Sequence, residues 1–269
     1  MRKGACTHGK FALFCRVAAR SLKRYCLRKA KNLAQLFAGT SGFAYPSWKP
    51  DFYPSNLSAK NFLSHYAQRL NSVEINYTFR RLPAVSTLEN WVRSTRPGFI
   101  FALKGHQRIT HILRLKEAEQ ATEAFFKAIA PLRTAKRLGP ILFQLPPHFP
   151  CNLEVLGAFL ALLPPDLRYA FEFRHDSWFC DPVYRLFEKH KIALCLAESE
   201  QFQVPEVITS DFVYCRLRKP DYTPADRRAI AAKVRQLLDK DKEVFAFFKH
   251  EETPLGALYA EELLREMST

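Results

Sequence analysis

The sequence predicts an α/β fold: a single (β/α)8 barrel of the TIM type, preceded by a basic N-terminal extension that is helical or disordered. The chain has 269 residues, close to the roughly 250 residues of such a barrel. Eight short apolar runs recur at even spacing, and helix-compatible segments separate most of them. Most runs end in a charged or amide residue, and barrels of this type carry their functional side chains at the strand ends. The runs are LFAG (36–39), SVEIN (72–76), FIFALK (99–104), ILFQL (141–145), YAFEFR (169–174), IALCLAE (192–198), FVYCRLR (212–218) and VFAFFKH (244–250).

Five of the segments between or after the runs predict clear helices. Pro and Gly pairs end several of them, and the pair Gly139-Pro140 is expected to end the connection before the fourth strand. No composition shift divides the later part of the chain, so residues 37–269 are predicted to form one domain. The helical segments are 116–130, 153–163, 182–189, 226–238 and 254–267.

Most of the net positive charge, 10 of +15, belongs to the residues before this domain. The formal net charge is +15, from 41 basic and 26 acidic residues. Residues 1–36 contain 10 of the basic residues and no Asp or Glu, which leaves 41 − 10, or 31, basic residues against all 26 acidic ones. The isoelectric point of the whole chain is therefore a poor argument that the barrel binds nucleic acid.

The extension, residues 1–36, has the pattern of a basic amphipathic helix. Apolar residues recur at three- and four-residue steps from Phe11 to Leu33, and Arg and Lys occupy the other faces. Three interpretations remain open: a segment without a binding role, a segment that binds an anionic surface such as nucleic acid or lipid, and an organelle transit peptide. Nucleic acid is thus a candidate partner through this segment.

Cysteine usage predicts a reducing compartment. The chain has seven cysteines, an odd number, without a CxxC pair, and Cys195 and Cys215 lie inside predicted strands. No apolar stretch reaches the roughly 18 residues of a membrane span. We therefore expect a cytoplasmic protein without a transmembrane segment. The sequence does not predict its oligomeric state.

The chain lacks the sequence motifs of several common enzyme classes. The patterns GxxxxGK[ST], GxGxxG, GxSxG and HExxH are all absent. No cofactor can be predicted. A metal site built from Glu74, Glu172, His175 and Asp211 has no support from spacing, although barrel ligands need not be close in sequence.

Polar side chains at the strand ends are predicted to share the barrel mouth. In the second run Glu74 and Asn76 alternate with aliphatic residues, and in the fifth run Glu172 and Arg174 alternate with phenylalanines. A charge within an apolar strand is unfavourable unless it is paired or solvated. Two interpretations follow: an ion-pair network that fills the lumen, or a ligand site. The predicted cluster consists of Glu74, Lys104, Gln144, Glu172, Arg174, Arg216 and Lys249.

Two strand exits add further candidates. After the fifth run, His175 is a candidate general base or metal ligand, or simply a loop histidine. Trp178 is expected either to stack on a substrate ring or to pack on Phe179. After the third run, residues 104–116 are rich in Lys, Arg and His. Such a segment suits a bound phosphate or carboxylate, and an ordinary solvated loop is the open alternative.

Six collinear segments resemble the YecE-like family, also called domain of unknown function 72. They are GTSGFAYPSWKPDFYP, VEINYTFRRLPAVST, ITH (109–111), LGPILFQLPP, EFRHDSWF and TSDFVYCRLR. The resemblance implies a TIM barrel from about Gly39 onward, but no established reaction, substrate or cofactor. Many members have His-Gly after the seventh-strand arginine and paired asparagines after the eighth strand, and this chain differs at both places. The family pattern points to Gly39, Ser41, Tyr45, Trp48, Glu74, Asn76, Phe79, Gln144, Glu172, Arg174, His175, Trp178 and Arg216.

We therefore expect an enzyme that acts on a small anionic or phosphorylated substrate at the barrel mouth, by acid/base or metal-assisted chemistry. The alternatives are a nucleic-acid-acting barrel, such as a metal-dependent nuclease, and a non-catalytic ligand-binding module. Glu74 or Glu172 would be the acid/base, with Lys104 and His175 as further catalytic candidates. The expected substrate-binding residues are Tyr45, Trp48, Asn76, Gln144, Arg174, Trp178, Arg216 and Lys249.

Overall fold

Eight parallel strands form a barrel, as the sequence predicted. The structure is a computed structural model that describes Met1 and residues 34–199, 203–249 and 252–268. Neighbouring strands follow the order β1-β8-β7-β6-β5-β4-β3-β2, and a bridge between Ser41 and Glu74 joins β1 to β2. Residues 2–33 of the N-terminal extension lie outside the described residues, so the expectations for this segment stay predictions. The strands are β1 Leu36–Thr40, β2 Ser72–Ile75, β3 Ile100–Lys104, β4 Leu138–Gln144, β5 Tyr169–Glu172, β6 Ala193–Ala197, β7 Phe212–Leu217 and β8 Glu243–Phe248.

Helices connect most of the described strands. A π-helical turn, Arg108–Ile112, follows β3, and a 3-10 turn, Asp176–Trp178, follows β5. Between β6 and β7 the described residues, 198–199 and 203–211, form no helix. No described helix is long and apolar enough to cross a membrane. The α-helices are α1 Phe62–Arg69, α2 Tyr77–Arg80, α3 Val85–Arg93, α4 Glu119–Thr134, α5 Leu153–Ala161, α6 Asp181–His190, α7 Pro224–Asp239 and α8 Leu255–Ser268.

Side chains join β1 to β2 where the strand ladder is short. Asn71 accepts a hydrogen bond from the Ala38 amide at 2.9 Å and donates to the Leu36 carbonyl at 2.8 Å. The Tyr66 hydroxyl accepts from the Thr40 amide at 2.8 Å and donates to the Ser72 carbonyl at 3.0 Å. These bonds satisfy backbone groups that would otherwise be buried without partners.

Strand alternation divides the core into two clusters. One contains residues such as Phe101 and Phe143, which face the helices. The other consists of strand residues at alternating positions, including Ala102, Tyr214 and Phe245, which fill the lumen. The same alternation continues toward the carboxyl ends of β3 and β7. It places Lys104 and Arg216 on the lumen side, at the mouth of the barrel.

The largest differences from the predicted boundaries include the start of β4 and the end of α4. β4 begins at Leu138, so Gly139-Pro140 lies within the strand rather than before it. The register between β3 and β4 shifts between Phe101 and Leu103, and such an irregularity tolerates a proline that has no N–H to donate. Helix α4 continues through Pro131 to Thr134, four residues beyond the predicted end.

Candidate active site at the barrel mouth

A buried arginine bridges two buried glutamates at the carboxyl end of the barrel. Arg216 Nη2 donates to Glu74 Oε1 at 2.7 Å, and Arg216 Nη1 donates to Glu172 Oε2 at 2.6 Å. The three residues are at most 2% exposed. They come from β7, β2 and β5, so the triad links distant parts of the barrel wall. Buried charges of this kind need both partners and hydrogen bonds to be tolerated.

Two hydroxyl groups complete the coordination of Glu74. The Ser41 hydroxyl donates to Oε1 at 2.7 Å, and the Tyr214 hydroxyl donates to Oε2 at 2.7 Å. Ser41 follows β1 directly, and Tyr214 precedes Arg216 by two positions on the lumen face of β7. Glu74 is therefore a fully hydrogen-bonded anion at the point where β1 meets β2.

Glu172 attracts two further cations. Arg174 Nη2 forms a close ion pair with Glu172 Oε1, and Arg218 Nη2 lies 3.9 Å from the same oxygen. The Arg174 side chain is 18% exposed and that of Arg218 is 21% exposed, so both lie at the rim of the mouth. Counting Lys104 as protonated, four cations face two carboxylates, a surplus of two positive charges.

The guanidinium groups keep both glutamates ionised. Burial alone would raise the pKa of Glu172, but Arg216, Arg218 and Arg174 outweigh it and lower the pKa to about 2. Burial also opposes ionisation of Glu74, yet Arg216 and the hydrogen bond from Ser41 hold its pKa below the ordinary value. At neutral pH both carboxylates are therefore stable anions and weak proton acceptors.

For Lys104, in contrast, burial and the neighbouring arginines disfavour the charged form. Its Nζ lies 4.1 Å from the centroid of the Phe79 ring, and its ammonium forms no salt bridge with any described carboxylate. Burial, followed by the charge of Arg216, lowers its pKa to about 8, although Glu172 and Glu74 act in the other direction. Lys104 can therefore gain and lose a proton close to neutral pH.

The substitution Lys104→Met is expected to stabilise the protein at pH 7 by about 1–2 kcal/mol, as judged by urea unfolding. The lowered pKa means that the folded state disfavours the ammonium, and Met retains most of the apolar stem. The increase in the free energy of unfolding is smaller than the electrostatic penalty of the half-buried ammonium, because the substitution also removes the contact between the ammonium and Phe79. This stabilisation should decrease as pH rises from about 8, the pKa of Lys104 in the folded state, toward 10.5, its ordinary value. The exposed Lys116→Met is the control, and a destabilised Lys104→Met would contradict the assignment.

Several buried polar atoms at the mouth have no hydrogen-bond partner among the described residues. They include the Nε atoms of Arg174, Arg216 and Arg218 and the Oδ1 atom of Asn76. Buried polar groups nearly always have partners in folded proteins, and each exception requires an explanation. A bound ligand or ordered water would satisfy these atoms.

Comparison with known proteins supports the fold and its family. The family model described as a protein of unknown function, DUF72, matches residues 37–269. The chain belongs to the DUF72 family. This confirms the resemblance seen in the sequence.

Its curated relatives include the UPF0759 protein YunF of Bacillus subtilis, 30% identical over 139 residues, which are 49% of each chain. The UPF0759 protein YecE of Escherichia coli K12 is 30% identical over 145 residues, or 54% of this chain and 50% of YecE. The chain thus spans about half the length of the curated relatives it matches.

Two solved DUF72 structures are similar in fold. A protein from Thermotoga maritima has a TM-score of 0.78 and 26% identity, covering 87% of this chain and all of that one. A second, from Enterococcus faecalis, has a TM-score of 0.69 and 18% identity, covering 87% of this chain and 98% of that one. The family's description assigns no reaction, so the chemistry of this DUF72 barrel must be argued from its own residues.

Some expected site residues lie away from the charged cluster. Trp178 is completely buried, stacks on Phe173 at 4.8 Å and donates its indole N–H to the Phe149 carbonyl at 2.7 Å. Trp48 is also completely buried. Both indoles pack within the protein, and neither offers a face to a substrate in this conformation.

His175 and Tyr45 make local contacts that explain their positions. His175 Nδ1 lies 2.9 Å from the Ser177 hydroxyl, and the side chain caps the turn Asp176–Trp178. The Tyr45 hydroxyl donates to the Ser41 carbonyl at 2.9 Å. His175 is partly exposed at the exit of β5, whereas Tyr45 supports the backbone beside the Glu74 triad.

The remaining expected residues differ in exposure. Gln144 ends β4 and pairs in register with Glu172, so it belongs to the mouth. Lys249 is exposed beyond β8, where its amide donates to the Leu217 carbonyl at 2.9 Å.

Three mouth residues were absent from the expected set: Tyr214, Arg218 and His111. Tyr214 and Arg218 lie two positions either side of Arg216, so the alternation of β7 was a usable signal for both. His111 packs edge-on against Phe79 at 4.9 Å, and burial together with Lys104 lowers its pKa. No spacing rule would have paired His111 with Lys104, because the π-helical turn sets their separation.

A cavity of about 580 Å³ lies outside the barrel wall, between β6, β7 and α7. Its lining includes Cys215, Ile230 and Val234, with the ion pair of Lys233 and Glu206 at its edge. It is separate from the charged mouth. Among the described residues, no group of three or more His, Cys, Asp or Glu side chains is arranged to hold a metal ion.

Proposed function

We propose that the barrel mouth is an active site that binds a small anionic or phosphorylated substrate. The surplus of positive charge around the buried triad carries this proposal. Oriented guanidinium groups in a desolvated site are effective anion binders because little reorganisation is needed when the ligand arrives. The unpartnered Nε atoms of Arg174 and Arg218 are donors that an anion would satisfy.

The proposed roles follow from the charge states. Arg216 and the two glutamates form a fixed frame that holds the barrel wall and orients Arg174. Lys104 is the group for proton transfer, since general acid/base catalysis is most efficient when the pKa lies near the working pH. The low pKa values of Glu74 and Glu172 favour electrostatic positioning over the acid/base role expected from sequence. Asn76 and Gln144 would orient the ligand by hydrogen bonds.

Anion binding can be tested by thermal unfolding in the presence of inorganic phosphate. A ligand that binds only the folded state raises its stability in proportion to the logarithm of ligand concentration. We expect phosphate to raise the unfolding midpoint of the wild type, and Arg174→Gln to weaken phosphate binding about 10-fold or more, since a charge-assisted hydrogen bond contributes about 1.5–3 kcal/mol.

The matched control is Arg185→Gln on α6, which changes an exposed arginine remote from the mouth. Equal phosphate responses in Arg174→Gln and Arg185→Gln would show that phosphate binds elsewhere. No response in the wild type at any concentration would contradict the proposed function.

A cytoplasmic setting is part of the same proposal. The four described cysteines, Cys151, Cys180, Cys195 and Cys215, are free thiols, which suits a reducing compartment. Binding of nucleic acid through residues 1–36 stays a prediction, because residues 2–33 of that segment lie outside the described residues.

A further inference from the structure

We propose that Lys104 is a nucleophile that forms an imine with a small carbonyl compound carrying a carboxylate or phosphate group. This inference rests on the proposed function, since it assigns a substrate class to the same mouth. The ligand would then be either an oxo acid or the phosphate ester of an aldehyde or ketone. The protein would be a covalent catalyst.

The position of Lys104 suits a nucleophile. It ends β3 on the lumen side, half-buried, with its Nζ against the Phe79 ring. No described carboxylate forms a salt bridge with it, whereas Glu74 and Glu172 are engaged by Arg216. A partly desolvated amine beside other cations is an arrangement that activates lysine for imine chemistry.

The charged groups with the largest effects on the pKa of Lys104 belong to the mouth. Glu74 on β2 and Glu172 on β5 favour its ammonium form, and Arg216 and Arg218 on β7 disfavour it. His111 lies on the turn after β3, and Lys104 lowers its pKa. With a pKa of about 8 against an ordinary 10.5, the free amine at pH 7 is roughly 300-fold more abundant than for an exposed lysine.

The chemical step needs no component beyond the amine and the carbonyl compound. The free amine of Lys104 attacks the carbonyl carbon, and the carbonyl oxygen takes up a proton to give a carbinolamine. Loss of that hydroxyl as water, with departure of the remaining N–H proton, leaves a C=N bond and one water molecule. The anionic group of the substrate would bind Arg174 and Arg218, which places the carbonyl carbon toward Lys104. Protonation of the imine then creates an electron-withdrawing centre next to the carbonyl-derived carbon.

Reductive trapping tests the inference. The full chain is incubated at pH 7 with pyruvate, reduced with sodium borohydride, digested and mapped by mass spectrometry. We expect the reduced pyruvate adduct on Lys104 at least 10-fold above the adduct on the exposed Lys116 in the same digest. Excess phosphate should reduce labelling of Lys104 and leave Lys116 unchanged. Lys104→Arg should abolish the dominant adduct, with its circular dichroism spectrum checked against the wild type.

Acetone, which has the ketone but no carboxylate, tests the need for the anion: its preference for Lys104 over Lys116 should be smaller than that of pyruvate, because only the lowered pKa of Lys104 favours it. An equal preference with both ketones would overturn the anionic part of the inference. Even labelling of Lys104 and Lys116 by pyruvate, in a protein that still binds phosphate, would overturn the imine and leave the proposed function intact. Even labelling in a protein that does not bind phosphate would overturn both.

Discussion

The substitution Arg216→Met is expected to lower the free energy of unfolding by about 3–5 kcal/mol at pH 7, because it removes the partner of two buried carboxylates. Glu74 and Glu172 are 0% and 1% exposed, so water cannot replace the guanidinium without opening the barrel. Arg174 and Arg218 would still attract Glu172, whereas Glu74 would keep only the hydroxyl groups of Ser41 and Tyr214. Urea unfolding at pH 7 measures the loss.

Two further variants make this prediction specific. Arg185→Met on α6 removes an exposed arginine and should change the free energy of unfolding by less than about 0.5 kcal/mol. The triple variant Glu74→Gln, Glu172→Gln, Arg216→Met should recover part of the loss, since it leaves no unpaired buried carboxylate at the triad. If Arg216→Met were as stable as Arg185→Met, the triad would not be a buried ion network.

The wild type is expected to lose stability as pH falls from about 4.5 to about 2. The folded-state pKa of Glu172 is lowered to about 2, whereas in the unfolded chain it returns to its ordinary value near 4.5. Between these values the unfolded state binds more protons, so acid favours unfolding. The contribution of Glu172 is roughly 3 kcal/mol, and Glu74, whose pKa is also lowered, adds to it in the same direction.

Glu172→Gln should flatten this acid dependence. Its free energy of unfolding would be lower than that of the wild type at pH 7, and the difference would narrow as pH falls toward 2. Glu188→Gln, an exposed change on α6, should keep the wild-type slope. The measurement is a series of urea unfolding curves across this pH range. Parallel slopes for Glu172→Gln and the wild type would contradict the lowered pKa.

The strand pattern predicted most of the fold. Eight apolar runs located all eight strands, because a barrel strand is buried on both faces and reads as a nearly continuous apolar run. The fourth strand was placed three residues late, since Gly139-Pro140 resembles a turn in isolation. Only the register shift against β3 shows why the proline is tolerated there.

The alternation of side chains along the strands also predicted which side chains face the lumen. Glu74, Glu172 and Arg216 lie at lumen positions that a period of two identifies without coordinates. What the pattern could not supply was the pairing: whether Arg216 would bridge both glutamates, and whether Lys104 would remain without a carboxylate partner. These depend on barrel closure, which brings β2, β5 and β7 together from positions more than 40 residues apart in the chain.

The aromatic residues show a second limit of sequence reasoning. Trp178 lies in a loop beside Arg174 and His175, and a loop position favours exposure. The structure buries it against Phe173 because the short turn after β5 folds back onto the helix layer. Sequence position alone does not distinguish an aromatic side chain that faces a ligand from one that packs under the loop.

The mouth of the barrel, and not another surface, is the proposed binding site for a small anion. A crystal structure of the protein soaked with tungstate would identify the binding surface, because the anomalous signal of tungsten locates the oxyanion without ambiguity. Tungstate is expected within hydrogen-bonding distance of Arg174 and Arg218 and close to Lys104. An empty mouth at saturating tungstate, or tungstate bound only in the outer cavity beside Lys233, would contradict this proposal.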